Sequence, residues 1–145
     1  MKKQVVLAFS GGLDTSFCVI HLREQGYEVT TVTVDTGGFR PEELKRIEGL
    51  SPKLGAKAHR TLDARSELFQ GYLRYLVYGN VLRGQLYPLS VSAERVCQAA
   101  AVVDLAKRLG AGFADTLGVS IEGLARGAGN AARGVGDTIR KLFGK

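Results

Sequence analysis

Residues 4–24 join an apolar run, a glycine turn and a helical pattern, and this junction constrains the fold more than any other stretch. The run "QVVLAF" is continuous and rich in β-branched residues, as expected of a strand buried on both faces of a parallel sheet. "SGGLDTS" (10–16) follows at once, and from Asp14 to about Gln25 apolar residues recur at helical spacing until Gly26. Such a junction predicts an anion site, because glycines let the main chain approach a ligand and a helix N-terminus presents free N–H groups.

Further predicted strands and helices alternate along the chain. "YEVTTVTVD" (27–35) and, more weakly, "AKAHRTLD" (56–63) read as strands. Helical patterns cover 41–55, 64–82 and an Ala-rich segment from Ser92 to Gly110. This alternation is typical of right-handed crossovers, so the sequence predicts an α/β domain with a parallel sheet covered by helices on both faces.

The character of the chain changes after Gly110. Apolar residues there recur at intervals of three and four, at Leu117, Ile121, Leu124, Ala128, Ala131, Val135, Ile139 and Leu142. The pattern predicts an amphipathic C-terminal helix, weakened by about 1 kcal/mol for each interior glycine relative to alanine. We therefore expect a globular domain over 1–111 and a divergent glycine-rich helical tail over 112–145.

Composition excludes several classes of protein. The 145 residues carry a net charge of +6, but Lys and Arg are scattered rather than interleaved with aromatic residues, so no nucleic-acid partner is expected. No apolar run approaches the roughly 18–20 residues that span a bilayer, and the tail lacks a dense array of basic residues, so no membrane partner is expected. Cys18 and Cys97 show neither disulfide nor metal-ligand spacing, which indicates buried free thiols in a cytoplasmic protein.

The side chains of the turn suit phosphate. Ser10, Thr15 and Ser16 offer hydroxyl groups, whereas Asp14 would repel an anion unless it caps the helix or approaches the phosphates through Mg²⁺. The spacing matches neither the Walker A nor the dinucleotide-binding glycine pattern. A plain tight turn with a capped helix therefore stands beside the phosphate site as an interpretation.

Taken whole, "VVLAFSGGLDTS" resembles the pyrophosphate-binding loop of the ATP pyrophosphatase superfamily, and its Leu-Asp-Thr-Ser form resembles the argininosuccinate synthase family. The resemblance implies an adenine nucleotide alpha hydrolase-like fold of ATP pyrophosphatase type, with Mg-ATP as the ligand of the domain 1–111. The residues it implies at ATP are Ala8, Phe9, Ser10, Gly11, Gly12, Leu13, Asp14, Thr15 and Ser16. Asp14 would approach Mg²⁺ through the pyrophosphate. Since "REQGYEVTTVTVDTG" (23–37) resembles the next family segment, Val34 is expected against adenine.

A second stretch, "LYPLSVSAER" (86–95), resembles the citrulline-binding segment of the same family. Tyr87 and Ser92 match the tyrosine and serine that hold the amino-acid end of citrulline; alternatively, Tyr87 is a core aromatic and Ser92 only a helix N-cap. The family reaction adenylates citrulline with ATP and condenses it with aspartate to give argininosuccinate, AMP and pyrophosphate in arginine biosynthesis. Citrulline and aspartate are the implied substrates, and no catalytic nucleophile is assigned.

The resemblance weakens beyond about residue 111. The family continues with a loop of the form G-x-T-G-x-G-N-D-Q-x-R-F, whereas "RGAGNAARG" here has Arg126 and Ala131 in place of the Thr and Asp. The aspartate site is therefore not carried over. We expect the family's C-terminal synthetase domain to be absent. The expected partners are further copies of the chain in a homo-oligomer, or another chain that supplies the missing domain. Two alternatives are a non-catalytic ATP-binding remnant and an ATP pyrophosphatase that adenylates another substrate such as a tRNA base, with Cys97 as its reactive cysteine.

Overall fold

The computed structural model describes residues 3–84 and 86–114. In chain order, the elements are β1 (Gln4–Ala8), α1 (Leu13–Glu24), β2 (Glu28–Asp35), α2 (Pro41–Lys53), β3 (Ala58–Asp63), α3 (Arg65–Leu68), a π-helical segment (Phe69–Leu73), α4 (Arg74–Tyr78), β4 (Leu82–Arg83), β5 (Tyr87–Pro88), α5 (Ser90–Leu109) and β6 (Gly112–Ala114). The predicted α/β class is confirmed.

Four strands form one parallel sheet in the order β3-β2-β1-β6. Leu7 of β1 pairs with Thr31 on one side and with Ala114 on the other, so β1 lies inside the sheet. The short strands β4 and β5 form a separate antiparallel pair. Because all four strands of the main sheet are parallel, their carboxyl ends meet at one edge, where ligands bind in open α/β sheets.

Helices cover both faces of this sheet, as the continuous apolar strands predict. On one face Val5, Leu7 and Phe9 of the β1 segment pack with residues of α1 and α2, namely Val19, Leu22 and Ile47. On the other face Val6, Val32 and Val34 pack with residues of α3 and α5, among them Leu68, Cys97, Val102 and Leu105. The alternation along β1 sends successive side chains into opposite cores.

Residues 64–82 are mostly helical, as predicted: helical structure runs from Arg65 to Tyr78 and includes a π-helical segment at Phe69–Leu73. The structure corrects two other details of the sequence prediction. α5 begins at Ser90, not at Ser92. Residues 112–114 form β6, because the open edge of β1 offers a parallel partner there.

One prediction concerns residues that the structure does not describe. The amphipathic tail helix falls in 115–145, outside the described residues, so the division at residue 111 stays a prediction. Cys97 is buried as expected, but Cys18 is only half-buried. Within the described residues, no helix is long and apolar enough to cross a membrane.

Candidate functional site

The predicted anion-binding turn lies at the carboxyl end of β1. The Phe9 N–H donates to the Val32 carbonyl oxygen at 2.8 Å, which extends the β1–β2 pairing by one residue before the chain turns. Ser10 is exposed, and α1 begins three residues later at Leu13. The strand, the glycine turn and the helix therefore follow one another as the sequence predicts.

The two glycines of the turn have different surroundings. Gly11 has φ of +69°, and a Cβ placed on it would lie 2.9 Å from Cγ1 of Ile47 on α2. Gly12 has φ of −83° and ψ of 175°, and its nearest neighbour would be the Ser10 hydroxyl at 3.5 Å. The fold thus requires glycine at Gly11, while Gly12 leaves open space above the turn.

The N-terminus of α1 keeps its first N–H groups available. Gly12 is the N-cap and, having no side chain, forms no side-chain cap bond to them. The first bond of the helix runs from the Ser16 N–H to the Gly12 carbonyl at 3.0 Å, so the preceding amides have no partner within the helix. Together with the positive end of the helix dipole, these amides suit an anion.

Hydroxyl groups hold the turn together from inside. The buried Thr15 hydroxyl donates to the Gly12 carbonyl at 3.2 Å, and the Ser10 Oγ lies 3.3 Å from the Thr15 Oγ1. Ser16 is half-buried. Thr15 therefore shapes the loop, and Ser10, although it contacts Thr15, is exposed and accessible to a ligand.

Asp14 is the second residue of α1, so the interpretation of Asp14 as the N-cap is wrong. It is exposed in the first turn of the helix, where its negative charge interacts favourably with the positive end of the helix dipole. Among the described residues, no group of three or more His, Cys, Asp or Glu side chains is arranged to hold a metal. One carboxylate beside a phosphate site fits Mg²⁺, which usually keeps several waters and binds through one or two carboxylates and substrate phosphates.

The other residues implied at ATP differ in exposure. Val34 is 7% exposed and lies one residue before the carboxyl end of β2, opposite Leu62, and its side chain belongs to the core on the α5 face. Ala8 is half-buried and Phe9 is buried, whereas Leu13 is 86% exposed. The side chains of Val34 and Phe9 thus belong to the two cores, and the Phe9 N–H and carbonyl are already bonded to Val32 and Thr33.

The predicted citrulline residues flank the start of α5. Ser92 is exposed and is the third residue of the helix, whose N-cap is Leu89, so the interpretation of Ser92 as an N-cap is also wrong. Tyr87 pairs with Arg83 in the short β4–β5 pair, and only its backbone lies within the described part of the structure. α5 returns the chain to β6, so its first turn lies at the same edge of the sheet as the glycine turn.

A polar cluster that the sequence does not reveal ties the end of β2 to α5. The Thr36 hydroxyl donates to Glu94 Oε1 at 2.6 Å, and the Gln98 amide donates to the same oxygen at 3.2 Å. The two ends of the first bond are 58 residues apart in the chain. No local pattern signals such a contact, because it depends on where α5 packs.

Cys97 lacks the properties of a reactive cysteine. Burial, reinforced by the negative charges of Glu67 and Glu94, raises the pKa of its thiol above the ordinary value. Nucleophilic cysteines need the opposite shift, toward the thiolate. This observation weighs against an adenylating enzyme that uses Cys97.

Comparison with known proteins identifies relatives for most of the chain. A sequence profile described as "Arginosuccinate synthase N-terminal HUP domain" matches residues 4–122. Argininosuccinate synthase from Xylella fastidiosa is 47% identical over 109 residues, which are 74% of this chain and 27% of that protein. The enzyme from Hyperthermus butylicus is 42% identical over 105 residues, which are 72% of this chain and 26% of that protein. The chain spans about a quarter of the length of these relatives.

Solved structures share the fold at low identity. The NAD+ synthetase from Burkholderia pseudomallei superposes with a TM-score of 0.56 at 18% identity, covering 77% of this chain and 52% of that one. The NH3-dependent NAD synthetase from Campylobacter jejuni superposes with a TM-score of 0.55 at 15% identity, covering 78% of this chain and 46% of that one. With the turn, the sheet order and the profile match in agreement, the chain belongs to the argininosuccinate synthase family, as a form of its N-terminal HUP domain.

Proposed function

We propose that this chain binds Mg-ATP at the β1–α1 turn and provides the ATP-binding half of an argininosuccinate synthase reaction. The observation that carries the proposal is the N-terminus of α1, whose first N–H groups receive no side-chain cap because the N-cap is Gly12. This terminus lies within "SGGLDTS", which resembles the pyrophosphate-binding loop of the family. The amides at the start of α1 and the Ser10 hydroxyl would bind the pyrophosphate end of ATP. Asp14 would hold Mg²⁺, which supplies charge neutralisation for the phosphates when bound.

The proposed reaction depends on how citrulline, ATP and aspartate are placed relative to one another. The ureido oxygen of citrulline attacks the α-phosphorus of ATP, the bond to pyrophosphate breaks, and citrullyl-AMP forms. The amine of aspartate next displaces AMP to give argininosuccinate. Positioning and electrostatic stabilisation can drive both steps without a protein nucleophile, which agrees with the absence of an assigned one. Tyr87 and Ser92, beside the start of α5, are the residues proposed for citrulline.

Calorimetric titration tests the nucleotide site. We expect the full chain to bind Mg-ATP, and Asp14→Asn to reduce this affinity about tenfold, because the carboxylate is proposed to meet the cation. Binding of ATP without Mg²⁺ should not weaken in this variant, since a repelling charge has been removed. Glu24→Gln, at the other exposed end of the same helix, is the control and should change neither affinity. Equal Mg-ATP affinity in the parent and the Asp14 variant would place the cation elsewhere.

Citrulline binding is tested separately. Tyr87→Phe and Ser92→Ala should each lower citrulline affinity in the presence of a non-hydrolysable ATP analogue while Mg-ATP affinity stays unchanged. Ser90→Ala, on the same first turn of α5, serves as the matched control. Binding of Mg-ATP without any binding of citrulline would instead favour a non-catalytic ATP-binding role.

A further inference from the structure

The second turn of α2 lies against the glycine turn. Ile47 is 1% exposed and packs so closely on Gly11 that no side chain fits there. Ile47 is held in the core, so the backbone of the adjacent residue, Arg46, has a defined position beside it, and Arg46 itself is exposed. α2 therefore brings a cation to the proposed phosphate site from a second element of the fold.

The Arg46 guanidinium reaches the turn itself. Its Nη2 lies 3.7 Å from the position that a Cβ on Gly11 would take, and the residue is exposed. In the part of the chain that the structure describes, it forms no ion pair and no side-chain hydrogen bond. An arginine in this position keeps all five of its N–H donors available for an anion.

The Glu43 carboxylate on α2 is not paired with Arg46. Glu43, three residues earlier, accepts hydrogen bonds from the Arg40 N–H at 3.0 Å and from the Arg40 guanidinium at 3.5 Å. The Arg40 bonds, with a lesser contribution from the Arg46 charge, lower the pKa of Glu43 below its ordinary value. Glu43 is thus already engaged by another arginine.

We propose that Arg46 is a phosphate-binding residue of this site, which directs its guanidinium at the pyrophosphate end of ATP from the α2 side of the turn. This inference rests on the proposed function, and it adds a residue that lies outside the "SGGLDTS" segment. The planar guanidinium of an arginine can donate two parallel hydrogen bonds to two phosphate oxygens. Its positive charge would also offset the negative charge that Asp14 adds to the same site.

The test compares three ligands of the full chain: Mg-ATP, inorganic pyrophosphate with Mg²⁺, and AMP. Arg46→Gln should weaken Mg-ATP and pyrophosphate about tenfold and leave AMP affinity within about twofold, because AMP lacks the phosphates that Arg46 meets. The salt dependence of pyrophosphate binding should become shallower. Arg46→Lys, which keeps the charge but not the fork, should fall between the parent and Arg46→Gln.

Lys45→Gln is the matched control, since it removes the same charge from the adjacent position of the same helix. It should change all three affinities by less than about twofold. Equal pyrophosphate affinity in the parent and Arg46→Gln, or equal losses in Arg46→Gln and Lys45→Gln, would overturn the inference alone. A parent chain that binds neither Mg-ATP nor pyrophosphate would overturn the proposed function together with the inference.

Discussion

Gly11 and Gly12 stand side by side in the turn but face different neighbours. Gly11 is required by the fold, since it combines a positive φ with the side chain of Ile47 at contact distance. Gly12 has ordinary extended angles and open space, so a side chain fits there in the folded chain. Any requirement for glycine at this second position would therefore come from a bound ligand rather than from folding.

Substitutions at the two glycines should therefore have contrasting effects on stability and on Mg-ATP binding. Gly11→Ala should lower the free energy of unfolding by about 2 kcal/mol or more, through the left-handed backbone and the clash with Ile47. Gly12→Val should cost at most about 1 kcal/mol, the loss of a favourable N-cap residue, yet should strongly weaken Mg-ATP binding. Denaturant unfolding and titration calorimetry on both variants measure the two effects. A Gly12 variant that binds Mg-ATP like the parent would show that the phosphates do not approach the turn closely.

At the scale of elements, a buried polar chain joins α2, β2 and β3. The Thr31 Oγ1 lies 2.6 Å from the Ser51 Oγ and 2.8 Å from the His59 Nδ1, and Thr31 and Ser51 are fully buried. The other ring nitrogen of His59, Nε2, lies 3.3 Å from the Thr61 hydroxyl. The edge strand β3 is thus joined to its neighbour by side chains as well as by the sheet.

The polar chain predicts a loss of stability in mild acid. Partial burial, opposed by the charge of Glu48, lowers the pKa of His59 below its ordinary value of 6.5. The unfolded chain therefore takes up the proton first, so stability is full above about pH 6.5 and declines as the pH falls through that value. Unfolding curves between pH 7.5 and about 5 should show this decline, and His59→Gln should reduce its slope. An equal slope in the parent and in His59→Gln would show that other groups cause the decline.

The Thr36–Glu94 bond predicts a measurable contribution from a contact between distant elements. Thr36→Val and Glu94→Ala should each lower the free energy of unfolding by about 1 kcal/mol, because a half-buried charged hydrogen bond is lost. The double variant should cost less than the sum of the two singles. Asp104→Ala is the control on the same helix: its pair with Arg108 is exposed and should be worth less than about 0.5 kcal/mol. Additive losses in the cycle would mean that the two residues act independently.

At the scale of the whole molecule, we expect this chain to keep the nucleotide half of the family's site better than the aspartate half. The chain spans about a quarter of its relatives' length, and the sequence comparison above predicts Arg126 and Ala131 at the places of the Thr and Asp in the family's second loop. An acceptor amine misplaced by about 1 Å can react around a hundredfold more slowly. We therefore expect an activated citrulline, if formed by this chain alone, to hydrolyse or to return to ATP.

A product assay checks this expectation. Incubated with Mg-ATP, citrulline and aspartate, the 145-residue chain should release pyrophosphate slowly and form little argininosuccinate by mass spectrometry. Omitting aspartate should leave the rate of pyrophosphate release nearly unchanged. Argininosuccinate formed at turnover numbers of order 1 s⁻¹, an ordinary enzyme rate, would show that residues beyond 114 build an aspartate site.

The sequence by itself determined the α/β class, the strand–turn–helix junction at 4–24 and the family. These depend on local patterns, since apolar runs, helical spacing and turn glycines act over a few residues. The same local reasoning missed the start of α5 by two residues, because the helix begins where the chain leaves β5 rather than at Ser92.

Only the tertiary structure decided which residues meet across the fold. It added β6 to the open edge of β1, set Ile47 against Gly11, and brought Thr36 to Glu94. It also carried Arg46 to the turn on a helix that begins after β2. Such contacts follow from the order of strands in the sheet and from the packing of helices on its faces. Neither can be predicted from the spacing of residues along one segment.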